Sequence, residues 1–137
     1  MILIDTGPLV ALFDKSDNYH VACHAALKTL SLPLITTTPV LTEAMYLLNF
    51  SSKIQDDLFN FITLGGVRLS DLNSEMLRAC RELMAKYHDL PMDFADASVV
   101  ALAGAQDIAT IFTLDHKDFS IYRTKKNKPF TLLPRKL

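Results

Sequence analysis

Glycine is scarce in this chain, and its four copies, Gly7, Gly65, Gly66 and Gly104, form neither a glycine-rich loop nor a Walker sequence. That removes the phosphate cradles built from consecutive backbone amides. Cysteine is scarcer: Cys23 and Cys80 both fall in apolar helical patterns without metal-ligand spacing, and are expected as buried, reduced thiols. Neither sign of charge dominates, because 14 lysines and arginines face 15 aspartates and glutamates for a net charge of -1. Bulk attraction to nucleic acid is therefore not implied. No basic leader precedes the first apolar run, and Pro8 and Asp14 interrupt it well short of a membrane span. A cytoplasmic protein without membrane contact is the expectation.

What is present is enough for one ordinary domain over residues 1–137: 50% hydrophobic residues, with no repeat, linker or low-complexity stretch. Met1 to Ile4 is a short apolar run of the kind found in buried parallel strands, and Thr6-Gly7-Pro8 turns it into a helix. Further helices are predicted over Asn18–Leu30, Thr38–Leu48, Ser52–Leu64, Ser74–Tyr87 and Met92–Ala105. Strands are predicted at Pro33–Thr36, Val67–Leu69 and Ala109–Leu114, with Phe130–Leu133 as a fifth candidate inside a polar, basic tail. Strands alternating with helices imply an α/β three-layer sandwich, with a mainly parallel sheet of four or five strands covered by helices on both faces.

Acidic residues recur where these strands end and helices begin. Asp5 closes the first strand, Glu43 lies in the helix opened by Thr38-Pro39, Asp96 lies at the start of a later helix, and Asp115 follows the last long apolar run. In an open parallel sheet the ligand crevice lies outside the carboxyl ends of the strands, where Asp5 and Asp115 are expected. Clustered carboxylates repel and raise one another's pKa unless a cation neutralises them, so the pattern reads as a magnesium or manganese site. Each has a plainer reading. Asp5 in Asp-Thr-Gly-Pro is a good N-cap, Asp93 is placed to cap the helix that holds Asp96, and Asp118 can cap after Asp115. Glu43 can be a solvated helix residue, although Val40, Leu41, Ala44 and Met45 make its surroundings apolar. His116 is expected to be exposed.

Three other chemistries fit less well. His20 and His24 have the i, i+4 spacing of a zinc pair, but neither the intervening glutamate nor a third ligand is evident. Asp5-Thr6-Gly7 matches the triplet of aspartic proteases, an all-β architecture, whereas here it opens a helix. A haloacid dehalogenase-type phosphatase needs Asp-x-Asp at the first strand, and position 7 is glycine.

Four segments together resemble the PIN-domain proteins of the VapC-like toxin group: Ile2-Leu-Ile-Asp5-Thr-Gly-Pro-Leu-Val-Ala-Leu-Phe13, Thr38-Pro-Val-Leu-Thr-Glu43-Ala-Met-Tyr-Leu-Leu48, Met92-Asp93-Phe-Ala-Asp96-Ala-Ser-Val-Val-Ala101, and Thr113-Leu-Asp115-His-Lys-Asp118-Phe119. The resemblance spans nearly the whole chain. It implies a metal-dependent ribonuclease, often the toxin of a toxin–antitoxin pair, with Asp5, Glu43, Asp96 and Asp115 as the catalytic and metal-binding quartet. Asp93 is a further candidate ligand, and Thr6, Thr113 and Asp118 are candidate supporting groups. The alternative is a non-catalytic module in which the acids clamp a cation while it binds RNA or protein.

Half the basic residues cluster late, including Lys117, Arg123, Lys125, Lys126 and Lys128, where they are expected to meet the phosphates of an RNA substrate. The helical segments Asn18–Leu30 and Ile54–Leu64 carry more apolar positions than one core-facing stripe needs. A homodimer and a groove for an antitoxin segment are expected from them.

Overall fold

Leu3, Ile4 and the whole of Leu34–Thr37 are buried, so the strands they form are covered on both faces. In the computed structural model, which describes residues 1–137, the elements are β1 (Leu3–Ile4), α1 (Thr6–Phe13), α2 (His20–Leu27), β2 (Leu34–Thr37), α3 (Thr38–Leu47), α4 (Ser52–Thr63), β3 (Val67–Ser70), α5 (Ser74–Lys86), α6 (Phe94–Gln106), β4 (Thr110–Phe112), α7 (His116–Phe119) and β5 (Thr131–Leu133). The five strands order as β3-β2-β1-β4-β5, and every pairing is parallel. The sandwich of a parallel sheet between helices is as the alternating pattern implied, with the fifth strand in place.

Strand β1 is central: Leu3 registers with Ile35 of β2 on one side and Ile111 of β4 on the other. The chain leaves β1 toward β2 and β3, then crosses back to β4 and β5. The carboxyl ends of β1 and β4 therefore flank the topological switch point, the position where open α/β sheets hold ligands. Gly7 lets the start of α1 approach this point, since a Cβ there would stand 3.3 Å from the Leu114 side chain just after β4. Helix α4 ends in a Schellman turn, with Gly65 at φ +98°, and the amides of Gly65 and Gly66 donate to Ile62 and Phe61. A core of 29 buried residues joins strands and helices and includes Cys23 and Cys80, both free thiols.

Some expected boundaries shift for local reasons. Helix α2 starts at His20 rather than Asn18 because Asp17 Oδ1 accepts the Tyr19 amide and forms a turn first. It stops at Leu27 because the amides of Thr29 and Leu30 donate to Ala26 and Leu27, tightening the chain out of the helix. The short α7 carries no sequence periodicity and was not expected. Tyr122, expected in a polar tail, is fully buried, its ring edge-on to Phe119 and Tyr87 at centroid distances of 5.0 and 4.9 Å.

Candidate metal centre

The acids arrive at the switch point by four routes. Asp5 ends β1; although it occupies the N-cap position of α1, its side chain makes no cap bond. The carboxylate accepts instead from the buried Thr113 hydroxyl at 2.8 Å, and the same hydroxyl accepts the Asp115 amide at 3.0 Å. Thr113 thus ties the end of β1 to the end of β4. Asp115 caps α7 through Oδ1, which accepts the Asp118 amide.

Asp93 caps α6 through Oδ1, which accepts the Asp96 amide at 2.8 Å. A capped first turn fixes Asp96 on the side of the helix that faces the other acids. Glu43 rides on α3, whose start is anchored by Thr37: its hydroxyl accepts the Val40 amide and pairs with the Ser98 hydroxyl at 2.7 Å. Because Ser98 lies in α6, this buried contact sets the start of α3 against α6, and Glu43 on α3 adds to the repulsion felt by Asp5. Tyr122 donates its hydroxyl to Asp96 Oδ2 at 3.3 Å.

The electrostatics show that these groups share one field. Burial, with repulsion from Glu43 and Asp115, raises Asp5 to a pKa of about 6 despite the Thr113 hydrogen bond. Burial, followed by repulsion from Asp93, Asp5 and Asp115, raises Asp96 to about 7. Asp118 is raised as well, by desolvation and by Asp115. Tyr122 is pushed far up by burial and by the facing Asp96, so its phenol stays a donor.

All the expected acids therefore converge, with a shift of emphasis. The tightest group is Asp96, Asp115 and Asp118, whose donor oxygens lie within 4.8 Å of one another. Asp118, expected in a supporting role, belongs to it because the single turn of α7 folds it back beside Asp115. Asp5 and Glu43 stand outside that trio but within its field. His116 is half-buried rather than exposed, with Nε2 buried and without a protein partner; Thr6 Oγ1 is likewise buried and unpaired. Hard carboxylate oxygens, no soft ligand, and carboxylates whose pKa values are raised by burial and mutual repulsion suit a hard divalent cation, which would neutralise them.

The basic tail is less concentrated at this edge than expected. Arg123 Nη1 donates to the carbonyls of Ser120, Ile121 and Tyr122, so its guanidinium closes the end of α7. Lys125 lies against Gly104 near the end of α6, eight residues and about 12 Å of helix rise away from Asp96. Lys117 stays close enough to Asp118 to lower its pKa. Sequence periodicity missed Tyr122, Thr37 and Ser98 as site-building residues; only the hydroxyl-rich starts of α3 and α6 hinted at the last two.

Beside the acids, an open groove of about 940 Å³ runs along the carboxyl edge over β2 and β3, lined by Glu43, Tyr46, Asp71, Leu72, Asp93 and Phe94 among others. No helix of the chain is long and apolar enough to cross a membrane.

Comparison with known proteins agrees with this architecture. Ribonuclease VapC26 of Mycobacterium tuberculosis is 28% identical over 135 residues, covering 97% of this chain and 100% of that protein. The crystal structure of VapC20 from Mycobacterium tuberculosis, described as a sarcin-ricin loop cleaving toxin, matches with a TM-score of 0.78 at 19% identity, covering 85% of this chain and 91% of that one. VapBC2 from Rickettsia felis, solved bound to a DNA fragment from the promoter, matches with a TM-score of 0.64 at 20% identity, covering 96% and 97%. Both structural likenesses concern the fold. The sequence profile of the PIN domain matches residues 2–126, and the chain belongs to the PIN domain family.

Proposed function

We propose that this protein is a Mg²⁺- or Mn²⁺-dependent endoribonuclease, acting as the toxin of a toxin–antitoxin pair through one domain spanning residues 1–137. The observation that carries the reading is the convergence of Asp5, Glu43, Asp93, Asp96, Asp115 and Asp118 at the switch point of a PIN-family sheet. The similarity to Ribonuclease VapC26 supports RNA as the substrate. RNA as substrate makes the cytoplasm the place of action.

Asp96, Asp115 and Asp118 would hold the cation directly, with Asp5, Glu43 and Asp93 completing the carboxylate set. Held there, a divalent ion would supply charge neutralisation, polarisation of a scissile phosphate and a lowered pKa for an attacking water. Thr113 orients Asp5 and Asp115 together, Tyr122 orients Asp96, and the buried, unpaired Thr6 hydroxyl beside Asp5 in sequence is a donor free to support the centre. Lys117 is the basic residue beside the acids; Lys125, Lys126 and Lys128, with Arg123 at the base of their loop, extend positive charge along an outer path for the RNA backbone.

A homodimer and an antitoxin segment are the proposed protein partners. Exposed apolar side chains such as Val21, Phe50, Phe59 and Leu64 give them surface to cover.

The purified protein is expected to cut RNA with Mg²⁺ or Mn²⁺ and not with EDTA, and Asp96→Asn is expected to abolish cutting. Undiminished cutting by Asp96→Asn would assign the activity to another site or a contaminant. Metal binding without any RNA cleavage would instead favour a non-catalytic module.

A further inference from the structure

The groove over β2 and β3 is continuous with the acidic centre, because Glu43 and Asp93 belong to both. Two aromatic side chains lie open in it: Tyr46, 71% exposed, and Phe94, 43% exposed. Their positions follow from the helices that carry the acids. Tyr46 stands at i+3 from Glu43, on the same face of α3, and Phe94 is the residue after Asp93 at the first position of α6. Each aromatic therefore sits next to a carboxylate of the centre.

The groove's charge limits what can enter. Beyond Glu43 and Asp93, whose charge the cation would neutralise, its lining holds the Asp71 carboxylate and no lysine or arginine, so away from the cation the groove repels phosphate. Pro39 and Leu72 add apolar surface, and Asp71, just beyond β3, offers an acceptor at the far side. A flat, uncharged ring bearing N–H donors is the complement of such a lining. In an RNA strand held by its phosphate at the acids, that ring is an adjacent nucleobase.

We infer that Tyr46 and Phe94 form a stacking subsite for one unpaired nucleobase next to the scissile phosphate. This rests on the ribonuclease reading and makes the substrate single-stranded or looped RNA, since a base still stacked in an A-form helix cannot turn into a groove. Aromatic stacking is tolerant of sequence, so Tyr46 and Phe94 set the strand's register, while Asp71 favours bases that present an amino group.

The test uses single-stranded RNA oligonucleotides carrying 2-aminopurine at successive positions, bound in Ca²⁺, a hard cation that neutralises the carboxylates. Stacking on the protein is expected to quench the fluorophore at one position, and Tyr46→Ala or Phe94→Leu to abolish that quench and weaken binding roughly 5- to 150-fold. Phe94→Trp is expected to restore it. Both aromatics are exposed, so thermal melts of the variants are expected to match the wild type. Binding without quench at any position, or equal quench in wild type and both variants, overturns the subsite. So does a changed sedimentation coefficient in Tyr46→Ala, which would assign the face to a second copy of the chain. Cleavage measured separately in Mg²⁺ distinguishes the two readings: quench without cleavage overturns the nuclease and keeps the base site, whereas cleavage without quench does the reverse.

Discussion

At Asp5 and Asp96 the folded chain binds protons more readily than the unfolded one, with pKa values of about 6 and about 7 against an ordinary 3.8. The native state therefore holds more protons than the unfolded state between roughly pH 4 and 7, and metal-free stability falls as pH rises through that window. Thermal melts in EDTA are expected to show a higher Tm at pH 5 than at pH 7.5, with Mg²⁺ reversing the order as it binds the ionised carboxylates. Asp5→Asn, which removes a desolvated charge while keeping an acceptor for Thr113, is expected to raise metal-free stability at pH 7.5 by about 1–3 kcal/mol and blunt the response to Mg²⁺. A metal response equal to wild type would remove Asp5 from the centre. Tyr122→Phe deletes the hydrogen bond that lowers the Asp96 pKa. The acid limb of its pH–rate profile is expected to move to higher pH, and an unmoved limb would show that the phenol does not act on Asp96.

Residues that sit immediately after a strand were readable from sequence, because a polar residue closing an apolar run marks both a strand end and a sheet edge. Tyr122 was not, since the partners that bury it, Tyr87 and Phe119, are set by the tertiary fold, and basic neighbours mask a lone aromatic. Asp118 needed the turn of α7, and four residues are too few to show a helical period.

Among the elements, α6 positions most of the site. Its Ala97, Ala101 and Ala103 are buried, which lets the helix lie close to its neighbours, and the Thr37–Ser98 contact registers it against α3. Ala97→Leu forces extra methylenes into a filled space and is expected to cost about 1–3 kcal/mol, lowering Tm by several degrees. It is also expected to weaken Mg²⁺ binding, because the displaced helix carries Asp96; a lower Tm with unchanged metal affinity would show that the centre does not depend on this packing. The helices and strands themselves were legible because short continuous apolar runs and period-3.6 patterns do not overlap here. The turns trimming α2 were not, because single side-chain–backbone bonds at Asp17 and Thr29 override a continuing apolar pattern.

For the whole molecule, near-neutral net charge hides a division: acids meet at one sheet edge, while the loop carrying Lys125, Lys126 and Lys128 leads from α7 toward the start of β5. Lys125→Ala combined with Lys126→Ala is expected to weaken RNA binding most at low salt and to flatten the slope of log K against log salt by about 1.4, with cleavage chemistry intact. An unchanged slope would take these lysines off the RNA path. That the basic residues do not all line the acidic edge could not be read from the chain, since adjacency in sequence carries no information about which end of a strand a loop reaches.

The parallel order of the sheet also governs when activity can begin. Strand β1 is synthesised before the other strands of the sheet, yet Leu3 pairs with Ile111, and Asp5 takes its hydroxyl partner from Thr113, 108 residues later. Such distant pairings make for slow folding, because the intervening chain must be ordered before the contact forms. A chain still emerging from the ribosome therefore carries Asp5, Glu43 and Asp96 without the residues that complete the centre. A nuclease of this topology stays inert until the segment carrying Thr113, Asp115 and Asp118 has been made and has folded against β1.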